Sequence, residues 1–164
     1  MRKSALSTFL RIGFVEGQGR NFANTTILPQ HIVELELSDL AEVKRYCQLL
    51  RKDKSDLDLV VLNAGFGQFG AIEQFSETQI ETLVNTNLTS SLLLLSVLVP
   101  KLKAQKRGDI VILGSESALA GAKQGSIYCA TKFALRGLAQ SLQSECAGTG
   151  VRVILVNPGP VRSN

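Results

Sequence analysis

Apolar residues along this chain follow two periods that alternate. His31-Ile32-Val33-Glu34-Leu35-Glu36-Leu37 alternates with a period of two and predicts a strand. Leu40, Val43, Cys47 and Leu50 then recur at helical spacing, with Ser38 or Asp39 placed to cap the helix they predict. Asp58-Leu59-Val60-Val61-Leu62 is a short apolar run of the kind a buried strand needs, and Phe66 to Ala71 is a glycine-rich loop. Ser76-x-x-Gln79 is a capping box. The helix it opens is expected to run toward Arg107, with Gly108 as its stop. Ile110 to Gly114 predicts a strand, Ser126 to Ala147 a helix, and Val151 to Val156 a last strand. Repeated β-α units of this kind imply a parallel sheet with helices on both faces. No linker, repeat or low-complexity tract interrupts the pattern, so residues 1–164 are expected to form one domain.

Composition narrows the class. A chain of 164 residues, 45% hydrophobic and 20% charged, can bury a sizeable core as a soluble globular protein. The net charge of +4 is spread out except at Lys101-Leu102-Lys103-Ala104-Gln105-Lys106-Arg107. That cluster reads as a charged helix C-terminus rather than a nucleic-acid patch, because no stripe of basic and aromatic residues accompanies it. Cys47, Cys129 and Cys146 are odd in number and form no Cys-x-x-Cys, which suits reduced thiols in the cytoplasm. His31 is the single histidine, so no metal is expected. The N-terminus has no long apolar stretch and reads as no signal peptide. The greasy run Leu92 to Leu98 ends short of Pro100, too brief for a membrane span, and is expected to be a buried or subunit-facing helix.

The candidate chemistry lies in Ser126-Ile127-Tyr128-Cys129-Ala130-Thr131-Lys132. Residues four apart share a helix face, so Tyr128 and Lys132 can meet in one cleft. A phenol ordinarily titrates near about pH 10, and a cation held beside it favours the phenolate. The pair reads as a proton-transfer device. Ser115 stands thirteen residues before Tyr128, just past the strand Ile110-Val111-Ile112-Leu113-Gly114. Ligands of open α/β sheets bind at such carboxyl ends, where a hydroxyl can hydrogen-bond the oxygen that the tyrosine protonates. Ser117 is the rival, at a spacing of eleven.

These residues belong to a longer series that resembles the classical short-chain dehydrogenase/reductase family. Asn63-Ala64-Gly65 resembles the family's Asn-Ala-Gly turn. Asn87 follows by twenty-four residues, Ser115 by a further twenty-eight, Tyr128 by thirteen and Lys132 by four. Asn157-Pro158-Gly159-Pro160-Val161 resembles the Pro-Gly segment beside the nicotinamide. The likeness covers about residues 14 to 164. It implies a three-layer, Rossmann-like, doubly wound parallel sheet and hydride transfer between a nicotinamide and a carbonyl or secondary alcohol. Asn87, Ser115, Tyr128 and Lys132 would be catalytic. Asn63, Ala64, Gly65, Tyr128, Lys132, Pro158, Gly159, Val161 and Ser163 would line the cofactor, and Glu36 and Leu37 would lie near the adenine. The greasy helix and the helix carrying Tyr128 resemble the family's paired subunit helices, implying a homodimer or homotetramer.

The N-terminal quarter departs from the family pattern. Gly13-x-x-x-Gly17-x-Gly19 matches the family's glycine loop by letter, but only 23 positions separate Gly13 from Glu36. Phe14 to Arg20 reads better as a second strand, and Ser7 to Gly13 as the end of a first helix with its glycine stop. Arg2 to Leu6 is then a remnant first strand. In this register the glycine loop is missing between Leu6 and Ser7, and the domain is expected to be incomplete at both ends. Arg20 falls just after the second strand, where an arginine pairs with the 2′-phosphate of NADP, so NADP is favoured over NAD. The competing expectation is a catalytically silent member acting only as a binding or oligomerisation module.

Overall fold

A computed structural model describes residues 9–11, 33–54 and 56–159, the first group by backbone pairing alone. Four strands form one parallel sheet in the order of the chain: β1 (Phe9–Arg11), β2 (Leu59–Leu62), β3 (Gly108–Leu113) and β4 (Val151–Val156). The register pairs Leu10 with Val60, Val60 with Ile110 and Ile110 with Val153. Helix α1 (Leu40–Lys52) precedes β2. Helices α2 (Glu77–Val84) and α3 (Ser90–Gln105) connect β2 to β3, and α4 (Ser126–Cys146) connects β3 to β4.

Every described crossover steps the same way along the sheet. The right-handed rule therefore sets α2, α3 and α4 on one face, and α1 packs beside α3 in the same layer. Side-chain alternation agrees. Val60, Leu62, Ile110, Ile112 and Val153 point into the core with Leu94, Leu98 and Leu102 of α3, whereas Ile154 and Val156 are exposed on the other face. The fold is the expected Rossmann-like parallel sheet with flanking helices, and among the described residues the helical layer covers one of its faces.

Local chemistry explains most of the boundaries. Asp39 caps α1 by accepting from the amides of Ala41 and Glu42. Ser76 and Gln79 close the expected capping box at α2. The helical stretch does not end where the sequence suggests. It stops at Gln105 with Lys106 in the left-handed conformation, and Gly108 opens β3 instead. It also exceeds the greasy run, because α2, a π-helical turn (Asn85–Thr89) and α3 form 29 continuous residues. By length and composition that is enough to cross a membrane, but Leu94, Leu95, Leu98 and Leu102 are almost wholly buried, as befits a core helix.

Two expectations near the N-terminus are corrected. Residues 33–37 carry no strand. Leu35 and Leu37 keep the alternating burial, but the segment pairs with no described strand and turns straight into α1. Phe9–Arg11 is a strand rather than the end of a helix, hydrogen-bonded beside β2. Three residues of Phe-Leu-Arg carry no readable period, and only the pairing partner decides their state. Residues 1–8 and 12–32, with the strands expected at Arg2–Leu6 and Phe14–Arg20, lie outside the described residues.

Candidate active site

The carboxyl ends of β3 and β4 build one wall. Beyond Leu113 and Val156 the two segments remain joined. Gly114 N donates to Val156 O at 2.8 Å, Ser115 N to Asn157 Oδ1 at 3.2 Å, and Glu116 N to Pro158 O at 3.1 Å. Ser115, Pro158 and Gly159 therefore stand together, an arrangement that the family resemblance implies. Ser115 Oγ accepts from Ser117 N at 3.1 Å, which caps a short turn (Glu116–Ala118) and fixes Ser115, not Ser117, at the strand end.

Helix α4 brings the other two groups to the same place. Tyr128 is half-buried in its first turn and Lys132 lies one turn on. Lys132 Nζ donates to Leu113 O at 3.2 Å, two residues before Ser115, and sits 5.7 Å from the centre of the Tyr128 ring, within cation–π range. Lys132 is only 6% exposed, and burial lowers its ammonium pKa below the usual lysine value.

The floor comes from the loop after β2. Gly65 approaches so closely that a Cβ on it would lie 3.1 Å from Asn87 Oδ1 and 3.7 Å from Lys132 Nζ. Asn87, fully buried in the π-helical turn, grips this loop as a strand would. Its Oδ1 accepts from Phe66 N at 3.0 Å and its Nδ2 donates to Phe66 O at 2.8 Å. The Nδ2 also donates to Thr131 Oγ1 at 3.3 Å, and Thr131 Oγ1 donates to Tyr128 O at 2.7 Å. One side chain thus ties the Asn63-Ala64-Gly65 turn to α4. A π-helical turn is a frequent mark of functional sites.

The structure gathers Asn63, Ala64, Gly65, Asn87, Ser115, Tyr128, Lys132, Pro158 and Gly159 around the ends of β2, β3 and β4. Glu36 and Leu37, expected near the adenine, lie just ahead of α1. Glu36 Oε1 accepts from Ser38 N and Oγ at 2.9 and 2.8 Å, so the carboxylate is turned to its own loop, and the Leu37 side chain is in the core. Arg20, Val161 and Ser163 lie outside the described residues. Sequence reasoning missed Thr131, Asn157 and Phe69. Thr131 and Asn157 are polar residues inside motifs already singled out. Phe69 is one of two aromatic rings in the glycine-rich loop, with its centroid 5.5 Å from that of Tyr128.

Lys132 makes one hydrogen bond among the described residues, and an ammonium carries three donors, so two remain for a ligand beside Gly65. A backbone without a side chain at Gly65, a donor-bearing cation and a hydroxylic pair fit the ribose and nicotinamide end of a dinucleotide.

Comparison with known proteins agrees. A family model described as short chain dehydrogenase matches residues 21–164. The chain is 32% identical over 129 residues to a sepiapterin reductase of Chlorobaculum tepidum, covering 79% of this chain and 53% of that protein. It superposes with a TM-score of 0.74 on a bulky-bulky ketone specific alcohol dehydrogenase from Comamonas testosteroni, at 30% identity over 80% of this chain and 53% of that one. A metagenomic short-chain oxidoreductase in complex with NADP gives a TM-score of 0.70 at 30% identity, covering 78% of this chain and 58% of that one. The chain spans about half the length of these relatives.

Proposed function

The chain belongs to the short-chain dehydrogenase family, and from that premise we propose that it is an NADP-dependent oxidoreductase acting on a small carbonyl or secondary alcohol. The observation that carries the proposal is the Lys132 ammonium, bound to the end of β3 two residues before Ser115 and set against the Tyr128 ring. The nicotinamide, when bound, supplies or accepts the hydride. Ser115 holds the substrate oxygen by hydrogen bond. Tyr128 donates the proton to that oxygen in reduction and removes it in oxidation. Lys132 places its charge beside the tyrosinate formed as the proton leaves, and directs its remaining donors to the nicotinamide ribose. Asn87 acts as a clamp. Both its Nδ2 donors are committed to Phe66 and Thr131, so a water linking Lys132 to solvent would be held by the turn's backbone or by the spare Oδ1 lone pair.

The placement of β1 favours the enzyme over a silent module. With Phe9–Arg11 in the sheet, the letters Gly13-x-x-x-Gly17-x-Gly19 directly follow a strand, the position in which a glycine segment cradles phosphate. In that register Arg20 adjoins the glycine segment rather than a second strand, and the NADP assignment leans on the relative solved with NADP. Val161 and Ser163 complete the proposed cofactor contacts. Three free, buried thiols suit a cytoplasmic location, and exposed Leu92 on α3 and Phe133 on α4 suit a homodimer or homotetramer.

Titration of NADPH into the chain, read by nicotinamide fluorescence, tests the reading. Saturable binding by both wild type and Tyr128→Phe is expected, with turnover lost by about a hundredfold or more in the variant. No saturation up to about 1 mM would favour the silent module.

A further inference from the structure

We propose that Phe69 is a specificity-determining residue: its ring forms an apolar wall beside Tyr128 and selects carbonyl substrates that carry a flat aromatic group next to the carbonyl carbon. The inference rests on the hydride-transfer reading above and adds the substrate class to it.

A single exposed apolar side chain ordinarily needs no explanation. Phe69 differs because it is held in place at the candidate site. The residue is 59% exposed, yet its ring centroid lies 5.5 Å from that of Tyr128, with the planes tilted by 56°. The loop that carries it is fixed at both ends. Phe66 is bonded through both N and O to Asn87, and Gly70 N donates to Gln124 O at 2.7 Å, just ahead of α4. Gly67 lets the backbone pass against both rings, since a Cβ there would lie 3.1 Å from Phe69 Cε2 and 3.7 Å from Tyr128 Cε2. The loop therefore sets the Phe69 ring against that of Tyr128 and leaves the residue largely exposed.

Two adjoining segments also expose an apolar side chain each. Ile72 follows the loop directly and is 60% exposed, and Leu119 closes the turn after Ser115 and is 57% exposed. A carbonyl oxygen between Ser115 and Tyr128 puts one substituent on the Phe69 side. A flat apolar group there gains both burial and an offset or edge-to-face ring contact, while a methyl or ethyl group is too short to reach the wall.

Equilibrium dialysis of acetonaphthone and butanone against the chain, with oxidised NADP present so that no ketone is reduced, tests the assignment. Wild type is expected to bind acetonaphthone at least about tenfold more tightly than butanone. Phe69→Ala should lose most of that preference and hold butanone within about twofold, and Phe69→Tyr, which keeps the ring, should retain it. Equal losses for both ketones in Phe69→Ala would overturn the inference, since the ring would then only hold Tyr128 in position. An unchanged preference would overturn it as well, as would a wild type that does not discriminate. Dialysis does not depend on turnover, so a failed hydride-transfer reading is detected separately, by a Tyr128→Phe variant that still reduces ketones.

Discussion

Lys132 is a buried ammonium with one hydrogen-bond acceptor among the described residues, and its burial lowers its pKa. In the unfolded chain it titrates near about 10.4. Between the lowered folded-state value and that point the unfolded chain holds more protons, so folding stability from this group rises with pH across the window. Below the window both states are charged and the full burial cost is felt; above it the cost is gone. Lys132→Met should therefore unfold at higher urea than wild type near neutral pH, with the gap closing toward about pH 10.4. Parallel pH curves for the two proteins would show that the ammonium is not strained. At this scale the sequence was informative about who meets whom. The spacing of Tyr128 and Lys132 on one helix face, and of Ser115 at a strand end, is local information. That Asn87 spends its amide on Phe66 and Thr131 depends on how a loop crosses a helix, which no spacing encodes.

The α2–α3 stretch carries the clearest consequences for single elements, at its capped start and at its π-helical junction. Ser76 accepts from Gln79 N at 3.2 Å, and Gln79 Oε1 accepts from Ser76 N at 2.9 Å. Ser76→Ala should cost about 1 kcal/mol, read as a lower urea midpoint. In the π-helical turn Thr86 is fully buried and its hydroxyl has no partner among the described residues. An orphaned buried hydroxyl is unfavourable, so Thr86→Val, which keeps the shape, should raise stability by about 1 kcal/mol. A drop instead would mean that the hydroxyl is satisfied by water. Helices and the capping box were legible because their signals are local. Of the strand expected at 31–37, the described residues 33–37 carry none, because alternation says which side chains are buried but not whether a partner strand lies alongside. Lys106 ending the helix, where Gly108 was expected, follows the same logic: β3 needs Gly108 for its own start.

At the scale of the molecule, all described helices cover one face of a parallel sheet with four described strands, and the candidate site residues gather at the carboxyl ends of β2, β3 and β4. The alternating pattern made the parallel sheet with its helical crossovers readable, since such units leave few topologies; of the helices expected on both faces, those among the described residues all lie on one. The identity of β1 was not readable, because a three-residue strand is defined by pairing rather than by its own residues. Cys47, Cys129 and Cys146 are each under 5% exposed and unpaired. A thiol reagent should label the native chain slowly and reach three thiols per chain in denaturant; two missing thiols would reveal a disulfide. The central claim is that Ser115, Tyr128 and Lys132 work as one device on a substrate oxygen. It is tested most directly by the rate of carbonyl-dependent NADPH oxidation in wild type, Ser115→Ala, Tyr128→Phe and the double variant. Each single change should lower the rate by about a hundredfold or more, and the double variant should be little worse than the slower single one, as for groups that act as a unit. A Tyr128→Phe chain that turns over at the wild-type rate would contradict the account.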